Sequence, residues 1–323
     1  MIESFRQNFI TEKGCLSLME YDVAIIGGGV AGLGAAIYSG RFNLKVAIFA
    51  ETMGGTIILT DVVENYPGFK RITGFDLAEE LKKHMADYKV DVFEERVSDV
   101  RKSGKHFEIQ SSERTIKSKT VIFATGTKFK KLNVSGEEEY TNKGVHYCAL
   151  CDGAFFKGKL MAVVGGSDSA AKEALLLTQW AEKVYIIYRG DKIHPEPINM
   201  TRVEKNNKIE MINNTNIKEI KGDGKKVSSA LLDKDYNGSK EFKVDAIFVA
   251  IGHNILSELP AKLGVKLNEK KEVIIDRNAK TNIPGVYACG DLVDTEFKQA
   301  ITGVAEGVLA SYSAYQYLSN ENI

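Results

Sequence analysis

The sequence contains little that would direct it to a membrane, to nucleic acid or to secretion. It has 43 Lys and Arg residues and 43 Asp and Glu residues, so its formal net charge is zero and no polyanionic partner is indicated. No apolar run approaches the roughly 18 residues needed to span a bilayer, and the N-terminal segment lacks the continuous apolar core of a secretory signal. We therefore expect a cytoplasmic protein that binds neither a membrane nor nucleic acid.

Cysteine is also scarce. Four cysteines in 323 residues are too few for a disulfide scaffold. Cys148 and Cys151 form one CxxC pair, which is typical of redox catalysis or metal binding in a reducing compartment. A structural zinc site needs about four ligands, and the remaining cysteines, Cys15 and Cys289, are single and distant in the sequence. We predict no metal site.

The CxxC pair has the composition that disulfide chemistry requires. Two thiols separated by two residues can close a small, reducible disulfide ring, and Asp152 follows the second thiol directly. A carboxyl group at that position can move the proton that thiol chemistry needs. Cys148, Cys151 and Asp152 are therefore the candidate catalytic residues.

The chain is long enough for two domains that each bury a core. An apolar strand at 21–26 runs into glycines, followed by a helix at 30–40 and a strand at 45–49. The same order returns at 160–164, 165–166, 169–179 and 184–188. This repetition predicts an α/β protein with two Rossmann-like, three-layer ββα nucleotide-binding domains.

The second domain is predicted to be inserted in the first, because 285–291 and the helix after it look like a completing piece of the first nucleotide site. The predicted divisions are an N-terminal extension at 1–19, a discontinuous first domain at 20–126 and 252–323, and a second domain at 127–251. Asp76 is predicted to cap a helix at 77–88. The stretches 92–118 and 209–242 are predicted to form antiparallel strands.

The first glycine motif, Gly27–Gly32, fits G-x-G-x-x-G between a strand and a helix. Gly27 permits a tight turn, Gly29 lets the backbone approach a pyrophosphate, and Gly32 lets helix and strand pack closely. Glu51 ends the second strand, where an acid can accept a hydrogen bond from a ribose hydroxyl. Asp291, after the strand at 285–288, would face the same ligand from the opposite side.

In combination, the motifs resemble those of the low-molecular-weight thioredoxin reductases from about Tyr21 to Leu318. The resemblance rests on Gly27–Gly32, Glu64–Gly68, Ala124–Gly126, Cys148–Gly153, Ala250–His253, and Gly290-Asp291 with Gln299-Ala300. It implies a homodimer in which the first domain binds FAD and the inserted NAD(P)-binding-like domain carries the redox-active cysteines.

The resemblance also implies individual roles. Cys151 would lie against the flavin, Cys148 would attack the protein substrate, and Asp152 would exchange the proton. One domain would rotate against the other around Thr125-Gly126 and Ile251-Gly252 during turnover. The FAD contacts would include Gly27, Gly29, Gly32, Gly55, Asn65, Asp291, Gln299 and Ala300.

The second glycine motif departs from this family. It places Ser167 where the family usually has a glycine, and the stretch after the next strand keeps Arg189 but has Gly190 and His194 in place of two arginines. The bidentate clamp that arginines make on a 2′-phosphate is therefore missing. The candidate nucleotide contacts are Gly165, Gly166, Ser167, Asp168, Ser169, Arg189 and Lys192.

Three electron donors follow from this departure: NADPH, NADH, or a ferredoxin-like protein. The function predicted from the sequence is transfer of electrons through FAD and the Cys148–Cys151 disulfide to a thioredoxin- or glutaredoxin-like protein. One alternative is an FAD-dependent dithiol oxidase that discharges electrons to oxygen. Another, of a different class, is a non-catalytic flavoprotein that senses redox state.

Overall fold

The computed structural model describes residues 19–321, so the predicted extension at 1–19 lies outside the described residues except for Met19. The strands are β1 Glu20–Ile26, β2 Val46–Phe49, β3 Val90–Phe93, β4 Val97–Ser103, β5 His106–Ser111, β6 Thr115–Phe123, β7 Thr127–Phe129, β8 Val145–His146, β9 Leu160–Val164, β10 Lys183–Ile187, β11 Ile209–Ile212, β12 Ile217–Gly222, β13 Val227–Tyr236, β14 Ser239–Lys243, β15 Ala246–Val249, β16 His253–Ile255 and β17 Val286–Ala288. The α-helices are α1 Val30–Arg41, α2 Gly74–Ala86, α3 Ala149–Asp152, α4 Asp168–Leu177, α5 Pro197–Glu204, α6 Glu258–Leu263 and α7 Ala300–Glu321.

The first sheet has the strand order β3-β2-β1-β6-β5-β4, with β17 pairing with β6. Strands β1, β2, β3, β6 and β17 run parallel, whereas β4, β5 and β6 form an antiparallel meander. The centre of β1 is buried on both faces, because parallel strands are covered by other elements on each side. This explains why β1 is an apolar run without an alternating pattern.

The second sheet repeats the plan with the order β11-β10-β9-β15-β8, and all its pairings are parallel. A separate antiparallel sheet, β12-β13-β14, accompanies it. The chain leaves the first sheet through β7 and returns through β16, and these two strands pair with each other. Two parallel sheets carrying helices confirm the predicted α/β class, while the exact domain boundaries stay a prediction.

Helix α1, which follows the first glycine motif, packs closely on the C-terminal helix α7. A Cβ on Gly307 would lie 2.1 Å from the carbonyl oxygen of Ala31, so only glycine lets the two helices approach this far. The buried Ser311 hydroxyl donates to the carbonyl oxygen of Ala35 at 2.6 Å and lies 2.9 Å from the Ser39 hydroxyl. The end of the chain is therefore joined to the first nucleotide-binding unit.

Two local predictions were wrong. Thr73, and not Asp76, is the N-cap of α2: its hydroxyl accepts from the Asp76 backbone N–H at 3.0 Å, and Asp76 lies within the first turn. The stretch predicted as antiparallel at 209–242 begins with β11, which pairs parallel to β10. Within residues 19–321, no helix is both long enough and apolar enough to cross a membrane.

Candidate active site

A cleft of about 1080 Å³ runs along the carboxyl ends of strands from both parallel sheets. Open α/β sheets bind their ligands at this end, where the loops leave the strands. The predicted site residues that line the cleft are Gly29, Asn65, Cys148, Ser167, Asp168, Ser169, Asp291, Gln299 and Ala300. The described site residues outside the lining are Gly27, Gly32, Glu51, Gly55, Cys151, Asp152, Gly165, Gly166, Arg189 and Lys192.

The first glycine motif forms a close-packed turn at the N-terminus of α1. A Cβ on Gly32 would lie 1.9 Å from the carbonyl oxygen of Gly27, so helix and strand can pack only if this residue is glycine. Gly29 is the N-cap of α1, and the nearest atom to a Cβ there would be 3.9 Å away. Because a glycine N-cap has no side chain, the first N–H groups of α1 are left to bind an anion. This cradle fits the pyrophosphate of a dinucleotide.

The opposite wall of the cleft contains three predicted ligand residues. The side-chain amide of Asn65 donates to the Gln299 side-chain oxygen at 2.9 Å, which joins two segments distant in the sequence. Lys298 donates to the carbonyl oxygens of Asp291 at 3.1 Å and Val293 at 2.7 Å. The ammonium group thus fixes the backbone of the turn that presents Asp291.

Glu306 on α7 supports the same turn and was missed from the sequence. Its Oε2 accepts from the Gly290 N–H at 2.7 Å, and its Oε1 accepts from the Thr295 hydroxyl at 2.6 Å. Burial raises the pKa of Glu306 above its usual range. The available signal was its position as the first charged residue in an otherwise uncharged stretch of α7.

Cys148 and Cys151 form a disulfide at the start of α3. Cys148 is the N-cap of α3 and is 8% exposed, with its Sγ 3.9 Å from the carbonyl oxygen of Leu59. Cys151 is exposed and outside the cleft lining. This arrangement does not bring Cys151 to the cleft, so the division of roles between the two sulfurs stays a prediction.

Asp152, the candidate acid–base residue, lies beside a buried histidine. Its Oδ2 lies 3.0 Å from Nδ1 of His146, within ion-pair distance but without the alignment of a hydrogen bond. His146 is buried between the rings of Phe156 and Phe248. A partly exposed carboxylate backed by an imidazole can pass a proton to or from the adjacent Cys151.

The other thiol of the described chain is not placed for such chemistry. Cys289 is fully buried, and burial raises the pKa of its thiol, which keeps it protonated and unreactive. Among residues 19–321, no group of three or more His, Cys, Asp and Glu side chains is arranged to hold a metal ion. Among the described residues, the Cys148–Cys151 pair forms a disulfide and Cys289 is the free thiol.

Helix α4 brings the half-buried carboxyl group of Glu173 to the cleft wall. Oε2 of Glu173 is enclosed and has no hydrogen-bond partner among the described residues. Burial raises the pKa of Glu173 to about 8, because an enclosed carboxylate loses its hydration. The neutral form is therefore favoured over a wider pH range than for an ordinary glutamate, a feature that the sequence pattern did not reveal.

Comparisons with known proteins agree with this geometry. The family described as pyridine nucleotide-disulphide oxidoreductase matches residues 21–307. The thioredoxin reductase of Listeria innocua is 38% identical over 305 residues, covering 92% of this chain and 94% of the relative. The chain therefore belongs to the pyridine nucleotide-disulphide oxidoreductase family and, within it, is a thioredoxin reductase-like flavoprotein enzyme. Membership implies a flavin cofactor and the nicotinamide partner that is typical of the family.

Solved structures give the same relationship. The Lactococcus lactis thioredoxin reductase in its FR conformation has a TM-score of 0.89 at 36% identity, covering 93% of this chain and 99% of its own. A ferredoxin-flavin thioredoxin reductase from Clostridium acetobutylicum has a TM-score of 0.51 at 30% identity, covering 94% and 99%. These similarities confirm the family resemblance and the fold class that were predicted from the sequence.

Replacing Glu306 by alanine should weaken flavin binding. The change leaves the Gly290 N–H and the Thr295 hydroxyl without their acceptor, and we expect a rise of about tenfold or more in the flavin dissociation constant. The measurement is titration of flavin-stripped protein with FAD. Glu269→Ala, which removes an exposed carboxylate, is the matched control. Equal flavin affinity in the two variants would contradict the assigned support role.

Replacing Glu173 by glutamine should change how stability depends on pH. The folded-state pKa is raised, so the stability that the protonated group provides is complete below about 4.5 and is lost as the pH rises through about 8. Thermal unfolding across this range should show a smaller loss of Tm in Glu173→Gln than in the wild type. Glu182→Gln, at an exposed position, should follow the wild type. Parallel curves for all three proteins would show that Glu173 ionises normally.

Proposed function

We propose that the chain uses FAD to reduce the disulfide of a thioredoxin- or glutaredoxin-like protein through Cys148 and Cys151. The observation that carries this proposal is the disulfide on the wall of a cleft whose other wall is a dinucleotide cradle. The proposed FAD contacts are Gly27, Gly29, Gly32, Glu51, Gly55, Asn65, Asp291, Gln299 and Ala300. Glu51 is exposed at the end of β2, beyond the cleft lining, and its proposed partner is the ribose.

When bound in the cradle, a flavin would supply the two electrons that the protein disulfide takes up. Taking up two electrons and two protons converts Cys148–Cys151 to a dithiol, with Asp152 exchanging the proton at the Cys151 sulfur. The Cys148 thiolate then attacks one sulfur of the partner's disulfide and forms a mixed disulfide. Cys151 attacks that bond, which releases the reduced partner and restores the Cys148–Cys151 disulfide.

Changes in the position of the disulfide during this cycle require movement of the unit 127–251 against the unit formed by 20–126 and 252–323. Gly126 and Gly252 support this part of the proposal. They have φ values of +63° and +93°, and no heavy atom lies within 4 Å of a Cβ at either position. Arg202 of α5 donates to Glu64 at 2.8 Å, and this exposed contact between the two units would break in the movement. We also propose that the protein is a homodimer, as its resemblance to the low-molecular-weight thioredoxin reductases implies.

The donor proposed for the flavin is a ferredoxin-like protein in preference to NADPH or NADH. Gly190 and His194 remove two members of the arginine clamp, and Tyr188 offers no carboxylate for a ribose diol. Arg189 and Lys192 are exposed and are the Arg and Lys side chains that the segment 188–194 retains for contact with a 2′-phosphate. Anaerobic addition of each donor separates the three possibilities, because only a competent donor bleaches the flavin band.

The reducing cytosol is the proposed compartment.

Cys148→Ser and Cys151→Ser should each abolish reduction of a thioredoxin disulfide while the flavin stays bound. Either change removes the dithiol that carries the electrons, but leaves the dinucleotide cradle intact. The measurement is insulin or thioredoxin disulfide reduction with chemically reduced enzyme, beside the flavin absorbance. Cys15→Ser serves as the thiol control. Full activity in either pair variant would exclude the mechanism, and rapid peroxide formation with a dithiol substrate would favour the oxidase alternative.

Asp152→Asn should slow disulfide reduction by about a hundredfold, because a positioned acid–base group typically contributes at least that factor. The amide retains the size of the side chain but cannot take up the proton. The rate should be measured with chemically reduced enzyme at several pH values, beside the flavin content of each variant. Asp235→Asn, at an exposed position away from the disulfide, should behave like the wild type. A wild-type rate in Asp152→Asn at every pH measured would remove Asp152 from the mechanism.

A further inference from the structure

The second glycine motif has an aromatic ring beside it. A Cβ placed on Gly166 would lie 2.5 Å from Cδ2 and from Cε2 of Tyr188. A Cβ placed on Gly190 would lie 2.6 Å from Cε1 of the same ring. The ring therefore rests between two glycine backbones, one in the motif and one just after β10.

This contact explains one departure from the family pattern. A side chain at position 190 would collide with the Tyr188 ring, so the arginine expected there and this position of the ring exclude each other. Glycine at 190 is thus coupled to tyrosine at 188. The absence of an arginine at position 190 and the position of the Tyr188 ring therefore depend on each other.

The segment after β10 is also tied to the glycine motif. The His194 backbone N–H donates to the Gly166 carbonyl oxygen at 2.8 Å, and its Nδ1 lies 3.5 Å from the Tyr188 hydroxyl. Asp168 accepts from the Glu196 N–H at 2.9 Å and from the Asn199 side chain at 2.8 Å. These bonds hold the segment 188–199 against the start of α4.

The position of the ring matters because of what a Rossmann unit binds there. The ribose of a dinucleotide lies between the glycine turn and the residue that follows the second strand. Tyr188 follows β10, the second strand of this unit, and its ring lies over Gly166 in the glycine turn. The ring and the adenosine ribose would therefore compete for one place.

We propose that Tyr188 is a specificity-determining residue. Its ring occupies the adenosine-binding position of the second nucleotide-binding unit and so weakens the binding of NADP⁺ and NAD⁺. This inference rests on the proposed function and names the residue that decides its electron donor. A dinucleotide binds only in molecules whose Tyr188 ring has left Gly166, so its apparent affinity falls by the fraction of open molecules.

The test is calorimetric titration of the flavin-loaded protein with NADP⁺ and, separately, NAD⁺, which needs no turnover. Tyr188→Ala should bind at least one of these dinucleotides with an affinity about tenfold or more above that of the wild type, because the adenosine-binding position is then always free. Tyr188→Phe is the matched control: it keeps the ring, loses only the contact with His194, and should bind as weakly as the wild type.

Three outcomes would overturn the proposal: micromolar binding of NADP⁺ or NAD⁺ to the wild type, equal affinities in Tyr188→Ala and Tyr188→Phe, or no gain in Tyr188→Ala. Unchanged flavin content and disulfide reduction by the chemically reduced variants establish that they are folded. Failure of chemically reduced wild-type protein to reduce a thioredoxin disulfide would instead count against the proposed function. The two failures are therefore distinguishable.

Discussion

The structure depends on close backbone packing at the first glycine turn. Gly32 lies so near the Gly27 carbonyl that no side chain fits between helix and strand, and α7 approaches α1 through Gly307 in the same way. These contacts place the N-terminus of α1 at the cleft and bring the last part of the chain beside the first. The proposed flavin cradle is consequently built from both ends of the described chain, with Gly29 and Asp291 lining the same cleft.

Side chains far apart in the sequence hold the second half of that cradle. Glu306 and Lys298 bind the backbone of the turn 290–293 from two sides, one accepting from an N–H group and the other donating to carbonyl oxygens. Neither group needs to touch the cofactor to matter, since each fixes the position of Asp291. Half-buried polar groups of this kind stabilise a fold only while their partners are present.

The two nucleotide-binding units share a plan but differ in what their glycine turns leave open. At the first turn, the space beside Gly29 is free of side chains, whereas at the second a tyrosine ring lies over Gly166. The proposed consequence is that the same strand–turn–helix geometry supports cofactor binding in one unit and restricts it in the other. Repetition of a fold within one chain does not require repetition of its ligand.

The sequence by itself determined the parallel sheets, the glycine turns, the CxxC pair with its aspartate and the family, because each depends on local spacing. It misjudged the cap of α2, where Asp76 and Thr73 are both plausible caps and only backbone geometry distinguishes them. It also misjudged the direction of β11, which pairs parallel to the preceding strand β10 after the crossover through α5. Only the tertiary structure decided that Glu306 supports the Asp291 turn, that Cys148 rather than Cys151 lines the cleft, and that Tyr188 covers Gly166. Those features arise between elements that meet only on folding, and neither periodicity nor motif records which side chains face each other there.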